Sequence, residues 1–390
     1  MSDAQDGKEP SESGARAGRG VRQTQAAGRR ESGLLLEVTD LSTSFRTPRG
    51  KVRAVDHVSF TLDRGKALGI VGESGSGKTV LSRTVMGLLT GHNVERTGSI
   101  KFAGQEMIEL KPKQMRHIWG QEMSMIFQDP MTSLNPLMKI GKQIAEPLRT
   151  HLDESRSVAR DTAERLLKDV KIPEAERRLD QYPHELSGGM RQRVMIAIAL
   201  ACGPSLLFAD EPTTALDVTV QAQILNLIEE QRRERNMSVI LVTHDLGVVA
   251  GHTDEIAVMY GGRLVEKAPT RTLFANMKMP YTEALLASIP KLEQPSHSRL
   301  TTIPGRPPDL VNPPVGCPFS PRCAYARDRC HAEAPPLTPA ETPDHVFACW
   351  YPVGSPEYQE RRRELDGSLV GVGAPGGALI VEPATFEDVS

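Results

Sequence analysis

No run of apolar residues in the 390-residue chain is long enough to cross a bilayer. The longest, Val194 to Cys202, is nine residues, where a spanning helix needs about 18 or more. No apolar stretch opens the chain, so secretion through the ordinary leader route is not expected. An excess of charge is missing too: the formal net charge is −2, with 25% charged and 39% hydrophobic residues. That balance gives no global bias toward nucleic acid or acidic ligands, and any membrane role must come through a partner. Cysteine is scarce, at five residues, which read as reduced thiols or metal ligands rather than disulfides. No internal repeat is visible. What remains is an ordinary globular composition, long enough for two domains or one large domain with an appendage.

An absence of another kind frames the functional question. The stretch 186-LSGGMRQR-193 is glycine-rich but holds no acid, base or nucleophile. A phosphate-binding pattern lies far upstream, at 72-GESGSGKT-79. A second glycine-rich turn in the same chain needs a phosphate of its own to face.

Along the chain, residues 1–32 are rich in Gly, Ser, Ala, Gln and Arg without apolar periodicity and read as a disordered tail. Segments 34–45 and 52–62 are rich in Val, Leu, Phe and Thr with partial alternation, as strands are. Residues 67–71 form a short buried strand running into the glycine loop, after which Val80, Leu81, Val85, Leu88 and Leu89 recur at helical spacing. Continuous apolar runs at 206–209 and 239–242 suit strands covered on both faces. Between them Val220, Ile224, Leu227 and Ile228 make one face of a helix from about Val218 to Arg235. The stretch 254–268 reads as a hairpin around Gly261-Gly262. The middle, about 140–204, reads as helical, with Val158, Thr162, Leu166 and Val170 on one face. Proline becomes frequent after about residue 282, and the end of the chain returns to Gly, Pro and Ala.

The pattern G-x-x-x-x-G-K-[ST] is met by Gly72, Gly77, Lys78 and Thr79, with Glu73, Ser74, Gly75 and Ser76 completing the loop. Successive backbone N–H groups in such a turn make an anion nest, reinforced by the positive end of the following helix. Lys78 reaches the β- and γ-phosphates and Thr79 offers its hydroxyl to Mg²⁺. A chance match in a surface turn is the plain alternative, but here the loop sits between a buried strand and a helix, as the motif demands. At 205-SLLFADEP-212 a hydrophobic strand ends in two acids. A parallel strand's C-terminal end faces the ligand crevice, so Asp210 is placed to hold Mg²⁺ and Glu211 to address a water beside the γ-phosphate. Alone, Asp-Glu-Pro is a solvated strand end. His244, just past another buried strand, and Gln128, in 125-MIFQDP-130, are equally ambiguous singly and gain meaning from the shared sheet edge.

In order, these pieces resemble the ATP-binding subunit of ABC transporters, over about residues 33–282. The likeness runs through 72-GESGSGKT-79, Gln128, 186-LSGGMRQR-193, 206-LLFADE-211, 215-ALD-217 and His244. A closer resemblance, through 127-FQDPMTSLNP-136, 182-YPHELSGGMRQR-193, 304-PGRPPDL-310 and 316-GCPFSPRC-323, is to the oligopeptide/dipeptide importer branch and reaches about residue 352.

The resemblance implies an α/β fold: a P-loop NTPase core of RecA-like type, an antiparallel β subdomain, a helical signature subdomain and a small irregular extension with cysteines. It implies a domain plan of 1–32 tail, 33–282 ATP-binding domain, 283–352 C-terminal region and 353–390 mobile tail. It implies that two cassettes meet head to tail, so the turn at Ser187, Gly188 and Gly189 faces the partner's phosphate through backbone amides and a helix N-terminus. Lys78 and the loop amides then bind phosphate, while Thr79, Gln128 and Asp210 attend Mg²⁺. Glu211 is the catalytic carboxylate, His244 the γ-phosphate contact, and Asp217 lies at the dimer seam. Phe45 is the candidate aromatic for the adenine. Gln128 opens the subdomain on which a membrane subunit docks. The implied partners are a second ATP-binding subunit, two permeases and, indirectly, an extracellular solute-binding protein, with no nucleic acid. The implied place is the cytoplasmic face of the cell membrane.

Cys317, Cys323, Cys330 and Cys349 fall within 33 residues, separated by five, six and 18 residues. Four thiolates suit an iron–sulfur cluster or zinc, though the paired C-x-x-C of common zinc modules is missing. Buried small hydrophobes are the alternative, which their clustering in a proline-rich segment disfavours. The importer-branch resemblance implies a [4Fe–4S] cluster, stapling an extension too small for its own core. Cys202, in the apolar helix, reads as packing. The competing function classes are a soluble ABC ATPase acting on DNA or ribosomes, and an isolated P-loop kinase or GTPase. The first usually carries two cassettes or a coiled-coil insertion, and the second leaves 186–193 unexplained. Within transporters, nickel or oligosaccharide cargo is the other reading, because the motor touches no cargo.

Overall fold

The computed structural model describes residues 33–214, 216–289 and 302–370. The tail expected at 1–32, and residues 371–390 of the one expected at 353–390, lie outside the described residues.

The chain opens with β1 (Leu34–Thr47) and β2 (Gly50–Asp63), an antiparallel pair, and then β3 (Ala67–Val71), buried throughout. The glycine loop follows and leads into α1 (Lys78–Val85). The helix stops there because Gly87 adopts φ 66°, the left-handed geometry that ends helices. Leu88 and Leu89, expected to continue the apolar face, therefore lie beyond the helix. Next come β4 (Val94–Phe102), β5 (Gln105–Glu106), α2 (Pro112–Met115), β6 (Met123–Ile126) and α3 (Pro130–Ser133).

A helical subdomain follows, with α4 (Ile140–His151), α5 (Arg156–Asp169), α6 (Ala175–Arg178) and α7 (Gly188–Leu200). Of the expected face, Leu166 and Val170 are buried and Val158 is exposed; Ala159, Ala163 and Leu167 complete the buried side of α5. Alanines face inward because α4 and α7 pack against this helix. Then β7 (Leu206–Asp210), α8 (Val218–Arg235), β8 (Ser238–Thr243), α9 (Leu246–Ala250), β9 (Glu255–Tyr260) and β10 (Arg263–Pro269) complete the nucleotide-type core. The predicted helix at Val218–Arg235 and the 254–268 hairpin are both present.

Among the described residues, β2-β1-β4-β5 form an antiparallel sheet, and a larger sheet runs β9-β3-β8-β7-β6 in parallel with β10 antiparallel at its edge. Period-two alternation divides the larger sheet's side chains between two cores. Leu68, Ile70, Phe208, Ile240 and Val242 face the antiparallel sheet and α1; Val71, Leu207, Ala209, Leu241 and Val258 face α7, α8 and the C-terminal part. Both faces being covered is why these strands read as unbroken apolar runs.

The C-terminal part departs from the expected plan. Helix α10 (Thr270–Asn276) leads to α11 (Pro280–Ala287), which runs straight through the expected boundary at 282/283, with Thr282, Glu283, Leu285 and Leu286 all buried. Beyond it lie α12 (Asp328–Ala332), the two-residue strands β11 (Thr338–Pro339) and β12 (Val346–Phe347), and α13 (Pro356–Val370). Strand β12 pairs with β10, so the extension prolongs the main sheet instead of standing apart. Cys317, Phe319 and Cys330 belong to the main core. Helix α13 also corrects the expected mobile tail from 353. Its Tyr358 is 2% exposed, stacks near Tyr325 at 4.2 Å between centroids, and donates to buried Glu283 Oε2 at 2.6 Å. A docked aromatic with a satisfied hydroxyl is what holds that helix down.

Candidate active site

The loop after β3 is built for close approach. A Cβ on Gly77, at φ 100°, would come within 2.1 Å of the Ala54 carbonyl oxygen. Gly75, at φ 82°, has no atom within 4 Å of the Cβ position, so the loop's crown is open. The buried Ser76 hydroxyl has no hydrogen-bond partner among the described residues, a donor fit for an anion arriving there. Lys78 is 4% exposed, and its ammonium donates to the carbonyls of Gly72 at 2.7 Å and Glu73 at 3.0 Å. Burial pulls its pKa below the ordinary value, against the opposing pull of Glu211, Asp210 and Glu73. The Thr79 hydroxyl donates to Asp210 Oδ1 at 3.1 Å, joining the start of α1 to the end of β7. Asp210 is 1% exposed, and burial raises its pKa despite the bond from Thr79. A lowered lysine beside a raised aspartate marks a site that expects charge from outside.

Glu211 sits one residue beyond β7 with φ 47°, a left-handed backbone uncommon for a side chain of this size. Its N–H is fixed on the Val242 carbonyl at 2.9 Å. The carboxylate accepts from Gln128 Nε2 at 2.9 Å and from the Thr214 hydroxyl at 3.0 Å, and lies 3.5 Å from His244 Nδ1. Three segments 83 and 33 residues apart in sequence, at 128, 211 and 244, are thus brought to one sheet edge. Strain at such a residue persists only where its surroundings hold it, and it collects at functional sites. Sequence reasoning named these three and missed Thr214.

Ser187 caps α7, its hydroxyl accepting from the Met190 N–H at 3.3 Å. A Cβ on Gly189 would meet Val220 at 3.0 Å, and one on Gly188 would meet Leu216 at 3.9 Å, so the turn lies against the start of α8. Asp217 caps α8, accepting from the Val220 N–H at 2.9 Å. Phe45, on β1, is half-buried; two residues before it the Thr43 hydroxyl meets that of Thr84 on α1 at 2.9 Å.

Cys317, Cys323, Cys330 and Cys349 line one small cavity with Met279, Tyr325 and Trp350. Its volume is about 20 Å³, room for one water rather than a four-iron cube. Among the described residues no three His, Cys, Asp or Glu side chains are grouped to share a metal ion. Burial pushes the Cys323 thiol up to about 12 and raises those of Cys317 and Cys349, so all three stay protonated near neutrality.

The comparisons with known proteins fit this geometry. Residues 55–214 match the ABC transporter family model, and residues 265–330 match the oligopeptide/dipeptide transporter C-terminal region. The chain is 51% identical over 320 residues to the oligopeptide transport ATP-binding protein OppD of Salmonella typhimurium, covering 82% of this chain and 94% of that one. It belongs to the ABC transporter ATP-binding family. A second member, the dipeptide transport ATP-binding protein DppD of Bacillus subtilis, is 48% identical over 81% of this chain and 94% of its own length. The dimeric bacterial ABC transporter cassette MJ0796 superposes with a TM-score of 0.55 at 26% identity, over 61% of this chain and 99% of that one. The ABC cassette fold, with its P-loop core, is therefore the architecture here. Among the described residues no helix of this ABC protein is long and apolar enough to cross a membrane.

Proposed function

We propose that the chain is the ATP-hydrolysing motor of an importer for oligopeptides or dipeptides, working with two permease subunits and an extracellular solute-binding protein. The observation that carries it is the Glu211 constellation, with Gln128, Thr214 and His244 around one strained carboxylate beside the Thr79–Asp210 pair. The peptide cargo rests on the relatives, which are named as oligopeptide and dipeptide transport proteins. In this reading Lys78, Ser76 and the loop amides bind the phosphates, and Phe45 stacks on adenine. Thr79, Asp210 and Gln128 hold Mg²⁺, which neutralises phosphate charge when bound. Glu211 orients the attacking water and accepts its proton, and His244 contacts the γ-phosphate. Ser187, Gly188, Gly189 and Asp217 serve the nucleotide of a second cassette, which the dimeric relative supports. The chain then sits peripherally on the membrane's cytoplasmic face through the permeases.

Glu211→Gln tests the assignment. Turnover falls roughly 10²- to 10⁴-fold, the usual worth of a general base, while ATP binding persists and the cassette pair stays closed. Unchanged turnover removes Glu211 from the role.

The four cysteines of the extension hold a [4Fe–4S] cluster in this proposal. What supports it is the donor set, four thiols lining one cavity; the size of that cavity as folded does not fit the cube. The cavity must widen and the thiols must lose protons to ligate it. Anaerobically purified protein should contain iron and acid-labile sulfide in equal amounts; finding neither refutes the cluster.

A further inference from the structure

Glu73, within the phosphate loop, is gripped from outside the nucleotide-binding elements. Its carboxylate accepts two bonds from the Arg322 guanidinium, 2.5 Å from Nη1 and 2.9 Å from Nη2. Such a two-point fork fixes direction as well as strength. The Glu73 N–H donates to the Tyr281 hydroxyl at 2.9 Å. Its carbonyl accepts from the Lys78 ammonium at 3.0 Å, so one residue links the loop's cation to the C-terminal part of the chain.

Arg322 has little freedom to follow a moving loop. Its side chain is 4% exposed. Nε donates to the Pro304 carbonyl at 2.8 Å, Nη2 also to the Ile303 carbonyl at 3.2 Å, and Nη1 also to the Tyr260 hydroxyl at 3.2 Å. Beneath it Phe319 packs edge-on against Tyr260 at 5.2 Å between centroids, and Tyr260 against Tyr281 at 4.6 Å. The turn carrying Arg322 is closed by its own backbone: the N–H groups of Arg322 and Cys323 both donate to the Phe319 carbonyl, and that of Cys317 to the Cys330 carbonyl. A rigid, cysteine-bounded turn thus ends on the loop that faces phosphate.

We propose that Arg322 is a positioning residue for ATP, and that the 317–323 turn clamps Glu73, and through it Lys78 and the loop amides, in the phosphate-accepting arrangement. The clamp rests on the nucleotide reading of the loop. Without it the loop must be ordered at each binding event, and that cost falls on affinity. The chemical step is spared, because Glu211, Gln128 and His244 are held by other contacts.

The test is ATP titration calorimetry with steady-state turnover on the full chain. Arg322→Ala and Glu73→Gln should each raise Kd and KM for ATP roughly fivefold or more, the low end of coupling between distinct sites, with kcat little changed. Combining them should cost no more than either alone, since both break one contact. Arg322→Lys should recover only part, because an ammonium cannot form the fork. If Arg322→Ala does not fold, Glu73→Gln decides alone. Wild-type affinity in the folded variants, or a fall in kcat at constant KM, overturns the clamp while leaving the nucleotide reading intact. A wild-type chain that binds no ATP removes both.

Discussion

Lys78 shows how a single residue carries the pH behaviour of the site. Burial lowers its pKa from the ordinary 10.5, so the ammonium is lost earlier on the alkaline side than in an exposed lysine. In the proposed site its charge binds the phosphates, whose arrival favours the protonated form again. Affinity for ATP should therefore weaken at a pH below 10.5, with proton uptake on binding at alkaline pH. Calorimetry in two buffers of different ionisation enthalpy measures both; affinity that stays flat up to that pH contradicts the burial argument. The protein's own stability moves the other way, since neutralising a buried lysine relieves its desolvation. At this scale the sequence was informative where geometry demands one residue type. Gly77, pressed against the Ala54 carbonyl, is such a position, and so is the lysine after it. Arg322 was not legible: its partner Glu73 lies 249 residues away, and the motif around it is distinguished by its cysteines.

Among elements, the buried parallel strands and α8 were visible from apolar pattern alone, because each is covered on a whole face or two. The strands β11 and β12 were not, since two residues hold no period and only pairing, of β12 with β10 and of β11 with β12, defines them. Helix α13 was missed for a related reason. Its buried anchor is Tyr358, docked on Glu283 of α11, beside a surface tie from Arg327 to the Glu357 carbonyl and the Glu360 carboxylate. Burial raises the Glu283 pKa, so that carboxyl depends on its hydroxyl partner. Tyr358→Phe should cost about 1–3 kcal/mol, the usual penalty for orphaning a buried polar group, read as a lower Tm. Faster amide exchange confined to α13 would place the loss there. An unchanged Tm and unchanged exchange would mean that the helix is held by something else.

At the scale of the whole molecule, Glu211, the Thr79–Asp210 pair and the glycine loop all lie at one sheet edge, while the Ser187 turn rests against α8. The turn's amides need a phosphate, and the account gives them the one bound by a second cassette. In the sequence this turn shows only as glycine-rich and without catalytic side chains; its role toward a second cassette is what the resemblance to ABC cassettes implies. Its partner was not legible, because a contact between chains leaves no pattern in one of them. The direct measurement is ATP turnover per chain as cassette concentration is raised, followed alongside sedimentation, for the chain alone and with its companion cassette. The rate should climb with concentration as pairs form and level off when pairing is complete. Full turnover by a chain that sediments as a monomer at every concentration would contradict it.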